Sequence, residues 1–180
     1  MRLANKLTVL RILLVPLFLI CIVYYRPENE KLRIIALCLF ALAVLTDFVD
    51  GIIARAKGEK TRLGSILDPL ADKLLLVSAF ISLSRAQLPV TLPAWVVITV
   101  ISRDIIIVLG AVIIHFITGQ LEVIPSRLGK LTTFFQMATV ISILLNFTFS
   151  CFFWYAAAVF TLLSGLDYIR QGSRLLNENK

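Results

Sequence analysis

A chain of 180 residues that is 59% hydrophobic and 16% charged, with a mean hydropathy of +0.92, is not a water-soluble domain, because soluble chains carry about 25% charged residues. Its net charge of +7 does not point to nucleic acid: the basic residues sit between apolar runs, where they orient a chain in a bilayer and meet phosphates. The cysteines, Cys21, Cys38 and Cys151, lie in apolar runs without ligand spacing and read as small packing residues.

The N-terminal MRLANKLTVLR brings Asn5, Thr8 and Arg11 to one helical face at three-residue steps. That pattern suits an interfacial entry helix with snorkelling cations. Basic residues before an apolar run also open signal peptides, but no small-x-small cleavage site closes this one. The stretch 12–25 is therefore read as a retained first span in which Pro16 is tolerated as a kink.

A polar loop at 26–31 leads to a second apolar segment, 32–54, which carries Asp47 and Asp50 at its far end. The basic loop 55–62 separates it from a third segment, 63–83, with Asp68 and Asp72 in its opening turns. A turn at 84–93 precedes a fourth segment, 94–117, that holds Arg103 and Asp104 well inside. The loop 118–130 ends in PSRLGK and is followed by segments at 131–149 and 151–169. The polar tail 170–180 is expected to fray.

Runs of this length cross a hydrocarbon core of about 30 Å. The predicted fold is an all-α integral membrane protein, a six-transmembrane-helix bundle in which residues 1–180 form a single domain. Alternating the segments across a cell membrane puts Arg2, Lys6, Arg11, Arg55, Lys57, Lys60, Arg62, Arg127, Lys130, Arg170, Arg174 and Lys180 on one side, and only Arg26, Lys31, Arg33 and Arg85 on the other. Basic loops stay inside, so both termini and the aspartates are assigned to the cytoplasmic face.

Carboxylates beside hydrocarbon are expensive and are paired, metal-bound or functional. Asp47, Asp50, Gly51 and Ala54 fall at i, i+3, i+4 and i+7, and Gly64, Asp68 and Asp72 at i, i+4 and i+8, each set one stripe of a helix. A short loop makes the two helices antiparallel neighbours, which can gather four carboxylates around one volume. Their repulsion is relieved by oxygen-ligated divalent cations, Mg²⁺ or Mn²⁺, and two such ions form a clamp for phosphoryl displacement. Gly51 costs about 1 kcal/mol relative to alanine in a helix interior, a cost offset where a ligand approaches the backbone closely, and Ala54 and Gly64 widen the same slot. Simpler roles stay open: Asp68 before Pro69 fits an N-cap with proline at the first helical position, and Asp47 and Asp50 can pair with Arg55 and Lys57. An ion- or proton-coupled transporter would favour acids near the bilayer midplane in broken helices of repeated halves, whereas these gather near one face beside a basic loop.

Together the residues spell Asp47-x2-Asp50-Gly51-x2-Ala54-Arg55-x8-Gly64-x3-Asp68-x3-Asp72, which resembles the signature of the CDP-alcohol phosphotransferase family in full. The resemblance implies a six-helix membrane enzyme, typically a homodimer, in which an alcohol displaces CMP from a CDP-linked donor with two divalent metals on the diphosphate. It implies metal ligation by Asp47, Asp50, Asp68 and Asp72, with Asp72 also the general base toward the acceptor hydroxyl. Gly51, Ala54, Arg55 and Gly64 would bind the cytidine nucleotide.

The pieces NKLTVLR, LDPLADKLL, SRD (102–104) and GKLTTFFQ (129–136) resemble members that join CDP-diacylglycerol to glycerol 3-phosphate, although Leu131 stands where a second lysine is expected. Phosphatidylglycerol and an inositol phosphate are the alternative acceptors. An anionic phosphomonoester needs cations, and Arg103, Arg127 and Lys130 are the candidates; Arg103 inside a span must face a cavity or a counter-ion.

Overall fold

A computed structural model of the chain describes residues 3–57, 64–118 and 127–178, with side chains for 9–48, 71–110 and 127–171. The described residues form six helices: α1 (Leu3–Val23), α2 (Glu30–Lys57), α3 (Gly64–Arg85), α4 (Ala94–Thr118), α5 (Arg127–Leu144) and α6 (Ser150–Glu178). The all-helical class is as expected, and several boundaries move. Arg127 and Lys130, assigned to a loop, lie in the first turn of α5. The tail expected to fray continues α6 as far as Glu178. Asp68 lies a full turn inside α3, which begins at Gly64, so it is not an N-cap.

The chain divides into two compact units, Met1–Leu92 with Val140–Thr148, and Pro93–Thr139 with Phe149–Lys180. In the first, α1 packs on both α2 and α3. Its buried stripe, Arg11, Leu14, Phe18, Cys21 and Ile22, recurs at three- and four-residue steps and is continued by Tyr25 just past the helix end. Phe18 meets Phe40 of α2 with ring centroids 5.8 Å apart, while Arg11 meets Asp47, so α1 and α2 run antiparallel. The opposite stripe of α1, with Leu13, Leu17 and Ile20, is exposed, as is Tyr24 in the turn that follows.

The end of α5 belongs to this first unit. Asn146 adopts φ 58°, the left-handed conformation in which asparagine substitutes for glycine after a helix C-terminus. The Asn146 and Phe147 amides donate to the carbonyls of Ile143 and Ser142, each at 2.9 Å, the paired bonds that satisfy a helix's last acceptors. Arg33 of α2, paired with Glu30, donates to the Leu144 carbonyl at 2.9 Å.

In the second unit α4 packs on α6. Trp95 meets Tyr155, Arg103 meets Ser164 and Gly110 meets Tyr168, an ascending series that makes the two helices parallel. A Cβ at Gly110 would stand 2.8 Å from the Tyr168 ring, so the missing side chain is what lets α4 approach α6 there. Phe135 of α5 stacks on Phe160 at 4.9 Å, and Thr132 donates to the Phe160 carbonyl at 2.9 Å. On α6 the small and polar residues Ala157, Ala158, Thr161 and Ser164 face inward, while Phe152, Tyr155, Val159, Leu162, Leu166 and Ile169 are exposed. Such inverted amphipathy suits a helix whose solvent is lipid, where small residues form the helix contacts. Ser150–Gln171 is long and apolar enough to cross a membrane, with a mean hydropathy of 1.4, and Val9–Val23 is a shorter apolar stretch.

Candidate active site

The aspartates lie toward the C-terminal end of α2 and the N-terminal end of α3, and α1 packs on both helices. Residues 47, 50, 51, 54 and 55 all fall within α2, so the first four share one face by helical spacing. Residues 64, 68 and 72 fall within α3 and share a face in the same way. Asp47 and Asp72 are both half-buried, their side chains 35% and 28% exposed. The side chains of Asp50, Ala54, Arg55 and Asp68, and the surroundings of Gly51 and Gly64, lie outside what is described.

Arg11 joins the two stripes. Its guanidinium, 1% exposed, lies 3.2 Å from Asp47 Oδ1 through Nη2 and donates from Nη1 to Asp72 Oδ1 at 2.8 Å. One cation from α1 thus holds the first and last carboxylates of the signature, which come from different helices. A buried ion pair broken by loss of one partner typically costs about 3–5 kcal/mol. The lower end applies here, because both carboxylates keep part of their surface in contact with solvent.

The three-residue spacing predicts that Arg11 shares a snorkelling face with Asn5 and Thr8. Its burial replaces that reading for this residue, while Asn5 and Thr8 lie outside the described side chains. The available signal was phase: residue 11 continues the 14, 18, 22, 25 stripe. Apolar residues on both faces of α1 hid which stripe points inward.

Carboxylate oxygens are the donors that hard divalent cations take, and the Arg11 pairs bring two of the four to a single point. The donor set therefore fits the expected ions. Among the described residues no group of three or more histidine, cysteine, aspartate or glutamate side chains gathers, and two of the four aspartate side chains fall outside that set.

The three acceptor candidates all lie in the second unit. Arg103 is mostly buried; its guanidinium donates to Asp104 at 2.9 Å and to Ser164 at 2.5 Å. These bonds fix its plane, while its buried Nε finds no hydrogen-bond partner among the described residues. Arg127 and Lys130 are exposed in the first turn of α5, where the helix dipole favours anions. Gln136, absent from the predicted set, is fully buried on α5, and neither of its amide atoms is hydrogen-bonded among the described residues. Nothing in the spacing of GKLTTFFQ distinguishes it from a surface glutamine.

Residues 1–163 match the model of a family described as CDP-alcohol phosphatidyltransferase. The chain is 37% identical to the CDP-diacylglycerol–glycerol-3-phosphate 3-phosphatidyltransferase of Bacillus subtilis, over 92% of each chain. It is 31% identical to the protein of the same name from Haemophilus influenzae, over 96% of this chain and 94% of the relative. A probable phosphatidylglycerophosphate synthase of Mycobacterium tuberculosis is 34% identical over 96% of this chain and 82% of its own length.

Proposed function

Because the chain belongs to the CDP-alcohol phosphatidyltransferase family, we propose that it transfers the phosphatidyl group of CDP-diacylglycerol to glycerol 3-phosphate and releases CMP, a step of phospholipid synthesis. The activity for which the Bacillus and Haemophilus relatives are named supports this acceptor over phosphatidylglycerol or an inositol phosphate. Family membership sets the transporter reading aside. The observation that carries the site assignment is the convergence of Asp47 and Asp72 on Arg11, from two helices that also bear the rest of the signature. The family match runs across both compact units, which supports one functional domain.

Asp47, Asp50, Asp68 and Asp72 would hold two divalent cations, Mg²⁺ or Mn²⁺, which when bound neutralise the charge of the donor's diphosphate. Gly51, Ala54 and Gly64, without bulky side chains on the same helical faces, leave room for the cytidine nucleotide, and Arg55 supplies charge beside it. Asp72 takes the proton from the acceptor hydroxyl; the oxygen then attacks the lipid-linked phosphorus, and CMP leaves. Arg103, with its plane fixed by Asp104 and Ser164, and Arg127 and Lys130, at an anion-favouring helix start, bind the acceptor phosphate. Arg103→Ala is expected to raise the apparent KM for glycerol 3-phosphate strongly while the donor KM changes little. Lys130→Ala acts in the same direction more weakly, because solvent screens its charge. Steady-state kinetics with each substrate varied separates the two, and a selective rise in the donor KM would remove Arg103 from the acceptor site.

We read the chain as a multi-pass protein of the cell membrane with both termini and the aspartates cytoplasmic. The outward apolar stripes on α1 and α6 support that reading, as does the length of α2. Its 28 residues span about 42 Å at about 1.5 Å each, more than a hydrocarbon core of about 30 Å. Single cysteines placed at Glu28 and Lys57 should therefore react with impermeant reagents from opposite sides of the membrane. Reaction of both from one side is incompatible with α2 crossing. A homodimer is the assembly that the family resemblance suggests.

A further inference from the structure

The ion pairs of Arg11 imply more than a structural tie. Asp47 and Asp72 are like charges on separate helices, and at a half-buried site their repulsion is several-fold stronger than in water. Arg11 sits between them, 1% exposed, with one guanidinium nitrogen on each carboxylate. A guanidinium stays charged at any accessible pH, so it cannot step aside by losing a proton. Its N–H groups also approach the very oxygens that a divalent cation would take.

We propose that Arg11 is a positioning residue with a second action: it holds Asp47 and Asp72 together as an internal counter-cation, and it competes with divalent ions for their oxygens. The proposal rests on the divalent-metal reading given above. Two opposing effects follow from removing it. The carboxylates lose a tie, which weakens metal binding, and the metals lose a permanent positive neighbour, which strengthens it. The second effect dominates, because a doubly charged ion feels the nearby charge directly, whereas the carboxylates remain attached to α2 and α3. The site thus stays assembled without metal and binds metal less tightly than bare carboxylates would.

The test uses the full-length protein in lipid nanodiscs. Mn²⁺ affinity is read from the electron paramagnetic resonance signal of the free ion, and thermal unfolding is followed in chelator and in saturating Mn²⁺. Arg11→Ala should bind Mn²⁺ roughly tenfold more tightly, a change equivalent to about 1.4 kcal/mol. In chelator it should unfold roughly 6–12 °C lower, and Mn²⁺ should recover most of that loss. Adding Asp47→Asn to Arg11→Ala should also restore stability in chelator, since the repulsion is gone, and Arg11→Lys should fall between wild type and Arg11→Ala in both readouts. Should Arg11→Ala fail to fold, Arg11→Lys and the double variant carry the comparison. Unchanged or weaker Mn²⁺ binding in the Arg11 variants overturns the competition. Equal destabilisation by Arg11→Ala with and without Asp47→Asn overturns the positioning. If the wild-type protein itself binds no Mn²⁺, the metal reading and the competition fall together, while the coupling of Arg11 to Asp47 in chelator still decides the positioning.

Discussion

Asp72→Asn is expected to lower turnover by roughly 10²–10⁴-fold, the range in which a positioned general base acts, while the protein should remain folded and still bind donor. The reason is local. Asparagine has the size of aspartate, and its amide oxygen still accepts the bond that Arg11 gives to Asp72 at 2.8 Å, so α1 and α3 keep their contact. What is lost is a carboxylate able to take the acceptor's proton. Asp50→Asn should instead weaken metal binding itself, because the role proposed for that carboxylate is ligation. Rapid-quench turnover alongside Mn²⁺ titration of the two variants separates base from ligand. If Asp72→Asn loses metal as completely as Asp50→Asn does, ligation is the whole role of Asp72 and the base lies elsewhere.

Chelation produces the other large effect. With divalent ions removed, activity should fall to background, because the donor's diphosphate then approaches clustered carboxylates with its charge uncompensated. Arg11 offsets only part of that charge, one cation against the four carboxylates proposed for the site and a diphosphate. Added Mg²⁺ or Mn²⁺ should restore activity, and the fold should persist throughout, since Arg11 ties α1 to α2 and α3 independently of metal. Turnover at full rate in metal-free buffer would leave the four aspartates without their proposed purpose.

The helices were legible in the sequence because apolar runs bounded by polar loops are a one-dimensional signal. The signature was legible because its residues lie on two helices adjacent in the chain. Interactions between segments far apart were not. The pairing of Arg11 with Asp72 spans 61 positions, and that of Arg103 with Ser164 spans another 61; neither spacing has a local periodicity to reveal it. Polar residues do not mark the helix ends here. PSRLGK and the tail after Ile169 are polar, yet α5 starts at Arg127 and α6 runs to Glu178. A helix emerging from a bilayer need not end at the interface: the 29 residues of α6 span about 43 Å at about 1.5 Å each, more than the apolar core requires. Burial within α1 was the hardest feature to foresee, since leucine and isoleucine line both its inward and its outward stripe.

The most direct test of the proposed activity is product identity. The purified protein, given labelled CDP-diacylglycerol and Mg²⁺ together with equal glycerol 3-phosphate and phosphatidylglycerol, should release CMP and form phosphatidylglycerophosphate as the labelled lipid. Formation of cardiolipin with glycerol 3-phosphate left unconsumed would contradict the acceptor assignment, and absence of CMP release with any acceptor would contradict the transferase itself.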